Sequence, residues 1–169
     1  MDDAELRSQL SCTHNSAFGW ALSCCGGDHV ADEEALHDVY VMVLEGRAKF
    51  AGTSAFRTWL FGVIRTTAHV QRRRSWLRSL LLSRNADQVR PQVNDFADDA
   101  AVRDSRGALL RAAITKLPAR QREILHLVFY QDLTVEDAAD VMRISVGSAR
   151  THYARGKARL AKTLPMADL

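Results

Sequence analysis

Apolar residues recur along most of this chain at three- and four-residue spacing, the period of helices that bury one face. Between residues 5 and 25 the apolar positions Leu6, Leu10, Phe18, Ala21 and Leu22 predict one helix or two short ones. Gly26-Gly27-Asp28 then breaks the pattern, as glycine pairs beside an aspartate do. A stronger stripe runs from Asp32 to about Arg47. Leu36, Val39, Tyr40, Val43 and Leu44 fall on one face, with Glu33, Glu34, His37, Asp38 and Glu45 off it. Phe50 to Ser54 reads as a short loop. A long helix is predicted from about Ser54 to Arg74, with Phe56, Trp59, Leu60, Val63 and Ile64 inward. Arg57, Arg65 and Arg72, Arg73 and Arg74 lie toward its outside or its end.

The periodicity stops between 85 and 101, where Asn, Asp, Gln and Pro dominate, and an interdomain linker is the natural assignment. Helical spacing resumes at Asp104–Lys116 and is halted by Leu117-Pro118. It returns over Ala119–Tyr130, in a short helix from Thr134 to Met142, and in a last helix from Val146 to about Leu164. The fold class is therefore all-α: two small helical domains, 1–84 and 102–169, joined by a flexible linker at 85–101. Three prolines and nine glycines in 169 residues suit long helices with few turns.

Charge sharpens the picture through its distribution rather than its sum. The net charge of +3 is a weak pointer to nucleic acid. Five carboxylates and no Lys or Arg occupy Asp28–Asp38, whereas nine cations and no carboxylate occupy Gly46–Arg84. Six more cations without a carboxylate follow from Val141 to Ala167. An acidic strip suits a basic protein surface or solvent, and basic strips suit phosphate. The longest apolar tract, Val39–Leu44, is far too short to span a bilayer. With no basic-then-apolar leader and three cysteines that form no disulfide framework, the chain is expected in a reducing cytoplasm, uninserted in membrane.

The most informative segment is Thr134–Leu160. Thr134 followed by Asp137 suits a helix cap, and Ala138-Ala139 permits a close helix crossing. Ser145 can cap the next helix, where Val146, Ala149 and Tyr153 can pack inward. Ser148, Arg150, Thr151, His152 and Arg155 then project from the opposite side, with Lys157 beyond them. That is a helix-turn-helix whose second helix fits a major groove; the plainer alternative is a helical hairpin with a solvated basic face. From Lys49 to Arg78, Phe56, Trp59, Phe61 and Trp76 are interleaved with Arg57, Arg65, Arg72, Arg73, Arg74 and Arg78. Cations beside ring faces suit single-stranded nucleic acid, although Phe56, Trp59 and Leu60 also stand at the spacing of a helix core. Cys12, His14, Cys24, Cys25 and His29 could bind zinc or copper, but their spacing matches no standard ligand set. No phosphate loop, nucleophile elbow or His-Glu metal motif occurs, so neither an enzyme nor a cofactor is expected.

Taken in order, four segments resemble the extracytoplasmic-function (ECF) sigma factors of the sigma-70 family. Glu34-Ala35-Leu36-His37-Asp38-Val39-Tyr40 resembles the acidic run D-L-V-Q-E-x-F of region two. Phe50 to Leu60 resembles F-R-G-x-S-x-F-x-T-W-L, and Leu117 to Glu123 resembles the L-P-x-x-x-R-E opening of region four. Val146 to Thr151 is similar to the recognition helix V-G-T-V-R-S. Departures are His37 for the usual Gln and Thr66 for the usual Asn.

The resemblance implies a subunit of RNA polymerase that directs promoter-specific initiation in response to a stress or environmental signal. It implies polymerase binding, at the beta-prime clamp, by Asp32, Glu34 and Asp38, with the beta flap and an anti-sigma factor as further partners. For the minus-ten element it implies Lys49, Phe50, Gly52, Thr53, Ser54, Arg57, Trp59, Arg65, Arg72, Arg73 and Arg74. For the minus-35 element it implies Ser148, Arg150, Thr151, His152, Arg155 and Lys157. Two other readings stand beside it. A stand-alone helix-turn-helix regulator would need neither the acidic helix nor the Phe50–Leu60 segment. A metal- or thiol-responsive protein would use Cys12, Cys24 and Cys25.

Overall fold

The computed structural model describes residues 2–25, 29–83, 110 and 112–163, except for the side chains at 29–32, 79, 82 and 83. The chain divides into two compact units, Met1–Asn94 and Asp95–Leu169. The break expected at Gly26-Gly27-Asp28, the linker expected at 85–101 and the start of the helix expected at Asp104 lie outside the described residues.

The first unit is a three-helix bundle: α1 (Asp3–Cys25), α2 (His29–Leu44) and α3 (Phe56–Ser83), each packed on the other two. Its core is the apolar stripe of each helix. Leu10, Ala17, Trp20, Ala21 and Cys24 come from α1, and Ala35, Leu36, Val39 and Val43 from α2. Phe56, Leu60, Phe61, Ile64 and Ala68 come from α3. Trp20 is fully buried, and its indole N–H donates to the Phe61 carbonyl at 3.0 Å, so a large ring is buried with its one polar atom satisfied.

α1 is one continuous helix, opened by the Asp2 side chain, which accepts from the Glu5 N–H at 2.7 Å. α3 runs nine residues past Arg74, and its far end leaves Leu77 and Leu81 exposed. Leu44, read as an inward position, is exposed at the end of α2.

In the second unit a helical stretch at 112–115 precedes α4 (Ala119–Phe129), α5 (Val135–Met142) and α6 (Val146–Thr163). Pro118 stands at the N-cap of α4, where its missing N–H costs nothing, and its carbonyl accepts from the Gln121 and Arg122 N–H groups. Ile124, Leu125, Leu127, Leu133, Ala138, Ala139, Val141, Met142 and Ala149 form the core.

Candidate nucleic-acid interface

The turn between α5 and α6 is built by local chemistry that the residue types require. Thr134 Oγ1 accepts from the Asp137 N–H at 3.0 Å and donates to the Asp137 carboxylate at 2.6 Å, closing the first turn of α5. α5 ends on Arg143, whose φ of 52° and ψ of 49° are left-handed. That conformation folds the chain back, so the Arg143 and Ile144 N–H groups reach the Asp140 and Ala139 carbonyls. Ser145 then starts α6: its Oγ accepts from the Ser148 N–H at 3.2 Å and donates to Ser148 Oγ at 2.9 Å.

α6 buries its smallest residues. Ala149 is fully buried and Gly156 is buried, with His152, Tyr153 and Leu160 half-buried beside them. A Cβ on Gly156 would stand 2.9 Å from Leu125 Cδ1 of α4, so this crossing is as close as it is because position 156 has no side chain. The opposite face exposes Ser148, Arg150, Thr151, Arg155 and Lys157 together with Arg159 and Lys162. His152 is the one predicted reader that turns partly inward. Arg150 is exposed and ion-paired: its Nη2 lies 2.7 Å from Glu136 Oε1 in the first turn of α5. Arg150's hydrogen bond holds the Glu136 carboxyl below the usual carboxylate range. Thr151 Oγ1 donates to the Gly147 carbonyl at 2.9 Å, and Lys157 Nζ lies 5.3 Å from the Tyr153 ring centroid.

In the first unit, Phe50, Phe56 and Trp59 form a three-ring cluster with centroids 5.3 to 5.5 Å apart. These rings anchor both ends of the loop before α3 and leave Ala51, Gly52 and Thr53 exposed at its tip, with Lys49 exposed and Ser54 half-buried. Gly52 has a φ of 74°, a conformation that glycine adopts without strain. Phe61, grouped by sequence with the interleaved aromatics, is instead a core ring with its centroid 6.1 Å from that of Trp20, and the Arg57 guanidinium carbon lies 6.0 Å from the Phe61 centroid. Trp59 is half-buried, Trp76 is exposed, and Arg65 is half-buried on α3. Arg73 and Arg74 are exposed, but Arg72 Nη1 donates to the Cys24 carbonyl at 3.1 Å, in the last turn of α1. One member of the arginine cluster thus closes a helix end.

Glu34 and Asp38 are exposed on α2, and the Asp38 carboxylate accepts from Gln71 Nε2 of α3 at 2.8 Å. Asp32 belongs to α2, but its side chain lies outside the described residues, as does that of His29. Cys12 is exposed, Cys24 buried and Cys25 half-buried, and among the described residues no group of three His, Cys, Asp or Glu side chains could hold a metal ion. His14 Nδ1 lies 3.0 Å from the Tyr40 hydroxyl, whose pKa is raised by burial. Glu136, Gln71 and Trp20 carry no signal in sequence that would single them out. Glu136 is an ordinary first-turn carboxylate, 14 residues from its partner, and only the fold brings the two together.

Residues 107–160 match the family described as sigma-70, region 4. Over longer spans the chain is similar to three curated proteins. It is 28% identical to the ECF RNA polymerase sigma factor SigX of Bacillus subtilis over 138 residues, 79% of this chain and 71% of that one. It is 26% identical to the RNA polymerase sigma factor YlaC of the same organism, covering 78% and 76%. It is 27% identical to the RNA polymerase sigma-H factor of Pseudomonas aeruginosa, covering 78% and 72%. Among solved structures, the fold is similar to the sigma factor RpoE in complex with the anti-sigma factor NepR from Bartonella quintana. The TM-score there is 0.73 at 21% identity, covering 97% of this chain and 99% of that one. It is also similar to CnrH in complex with the cytosolic domain of CnrY, with a TM-score of 0.62 at 20% identity over 98% and 96%.

Proposed function

We propose that the chain belongs to the ECF group of sigma factors in the sigma-70 family and directs RNA polymerase to a set of promoters in response to a stress or environmental signal. The observation that carries the reading is a coincidence of two kinds of information. The span matched as sigma-70 region 4 contains a capped helix-turn-helix whose second helix, α6, exposes a basic face and carries no carboxylate of its own. That face is the proposed reader of the minus-35 element, through Ser148, Arg150, Thr151, Arg155 and Lys157, with His152 at its margin.

Residues 1–84 are the proposed region two and 102–169 the proposed region four, separated by a linker at 85–101. In region two the proposed clamp-docking groups are Glu34 and Asp38, with Asp32 two residues before Glu34. The Gln71 hydrogen bond supports this assignment, because a carboxylate steadied by its neighbour loses less freedom on docking. The ring-anchored loop at Lys49–Ser54 is the proposed minus-ten contact, with Trp59, Arg57, Arg65 and the arginines at 72–74 along the helix that follows. The beta flap and an anti-sigma factor are the further proposed partners. The proposed role is regulatory, the chemistry belonging to polymerase, and the proposed compartment is the cytoplasm. Among the described residues no helix is long and apolar enough to cross a membrane.

The test is run-off transcription with sigma-free core polymerase, followed by sequencing of the transcripts. The wild-type chain should yield start sites that share upstream and minus-ten sequences. The double variant Glu34→Lys, Asp38→Lys should yield none and should fail to co-elute with core, while its helix content is unchanged, since both side chains are exposed. Wild-type co-elution of that variant would refute the docking assignment. Specific promoter binding by the chain alone, with no effect on core, would favour a stand-alone regulator.

A further inference from the structure

Across the helix-turn-helix, the Glu136 carboxylate of α5 holds the Arg150 guanidinium of α6 at 2.7 Å. Both side chains are well exposed, 55% and 69%, so the contact adds little to folding: water screens it, and two long side chains lose rotamer freedom to make it. Its consequence is directional. Arg150 is the only Lys or Arg between Val146 and His152, the part of the recognition helix nearest its N-terminus. The short polar groups around it are turned onto their own backbone or caps, Ser148 toward Ser145 and Thr151 toward the Gly147 carbonyl. Base reading by the front of α6 therefore falls largely on one guanidinium.

A loose arginine beside DNA reaches phosphate as readily as a base edge, and phosphate contacts position without specifying. A guanidinium held at one nitrogen by a carboxylate keeps its plane, and its remaining N–H donors keep one direction. We propose that Glu136 is a positioning residue for promoter recognition, holding Arg150 for a base edge and away from the backbone. The carboxylate also opposes loose approach to phosphate by like charge, so it raises selectivity while lowering general affinity. This inference rests on the reading of α6 as the minus-35 helix.

The experiment is binding of holoenzyme, assembled from core polymerase and the full chain, to a promoter library randomised in the upstream element at several salt concentrations. Four chains are compared: wild type, Glu136→Ala, Glu136→Gln and Arg150→Ala. Both Glu136 variants should lose about three-fold or more of the discrimination at the base pair whose preference Arg150→Ala also abolishes. They should at the same time bind scrambled upstream elements more tightly, with a steeper salt dependence as Arg150 moves to phosphate. A merely structural role would lower affinity for every sequence and leave the preference unchanged, and that result would overturn the proposal. So would unaltered preference in Glu136→Gln and Glu136→Ala with Arg150→Ala defective, which leaves α6 as the reader. If Arg150→Ala keeps the wild-type preference, the assignment of Arg150 itself fails and the proposal falls with it. Circular dichroism of each chain checks that the exposed substitutions leave the helices intact.

Discussion

His126 on α4 stacks on Tyr130, ring centroids 5.2 Å apart with 22° between planes, and its Nε2 lies 3.2 Å from the Gln131 side-chain nitrogen. Burial pushes its pKa down from 6.5 to about 4, so the folded chain holds the imidazole neutral. The unfolded chain takes up the proton first as pH falls through 6.5. The stability that neutral His126 contributes is therefore complete above that pH and is lost on descent toward about 4. Urea unfolding followed across this range should show falling stability in wild type and a shallower fall in His126→Gln. Equal slopes in the two chains would show that the imidazole stays accessible to protons in the fold. Arg143 is a second residue whose setting matters locally: it caps α5 in a left-handed conformation that disfavours side chains bearing a Cβ. The helix-turn-helix bears that strain at one position because the fold-back directs the Ile144 N–H to the Ala139 carbonyl.

At the scale of elements, α6 is held to α4 by what it lacks. The inward stripe of α6 runs through Ala149 and Gly156, and the Leu125 side chain lies over position 156. Glycine inside a helix costs about 1 kcal/mol relative to alanine, yet here any Cβ must displace a buried leucine. Gly156→Val should destabilise the second unit by about 1–3 kcal/mol through overpacking. Leu125→Ala costs about 2–5 kcal/mol by itself, but it vacates the space a Cβ needs, so the double variant should lose less than the sum of the two single losses. Thermal melts of the single and double variants decide it: additive losses would mean that the two positions do not touch. In the first unit the same logic appears with large residues, where Trp20 of α1 fills the gap beside Phe61 and closes its N–H on the Phe61 carbonyl.

For the whole molecule, the proposed function divides the work between the two basic strips, upstream reading on α6 and phosphate binding on α3, and the Arg72 contact refines that division. Arg73 and Arg74 are exposed on α3 in the proposed phosphate-binding region, whereas Arg72 reaches back to the Cys24 carbonyl. Replacing Arg73 and Arg74 together with Ala should weaken holoenzyme binding to all promoters alike. The log–log salt slope should drop by about one for each phosphate that is no longer neutralised. Arg72→Ala should act differently, lowering the stability of the first unit by about 0.5–1.5 kcal/mol because the hydrogen bond at the end of α1 is removed. If denaturation of Arg72→Ala matches wild type while its salt slope drops like the others, the guanidinium serves DNA and not α1.

Spacing along the chain was enough to specify the all-helical class, the caps at Thr134 and Ser145, the loop at Phe50–Ser54 and the basic outer face of α6. These follow from periodicity, small residues and local hydrogen-bonding groups, which act within a few positions of one another. The core stripes of α2 and α3 were legible for the same reason, since Leu36, Val39, Leu60 and Ile64 repeat at helical period. α1 was read less fully. Its apolar positions are diluted by Ala, Ser and Cys, so neither its continuity nor the burial of Trp20 and Cys24 was visible. Only packing in three dimensions sorted the interleaved aromatics, putting Phe61 inside and leaving Trp76 exposed. Packing also paired Glu136 with Arg150, Gln71 with Asp38 and Arg72 with the end of α1. Those partners stand 14 to 48 positions apart, and a charge or an amide carries no sign in sequence of what the packing of helices will bring beside it.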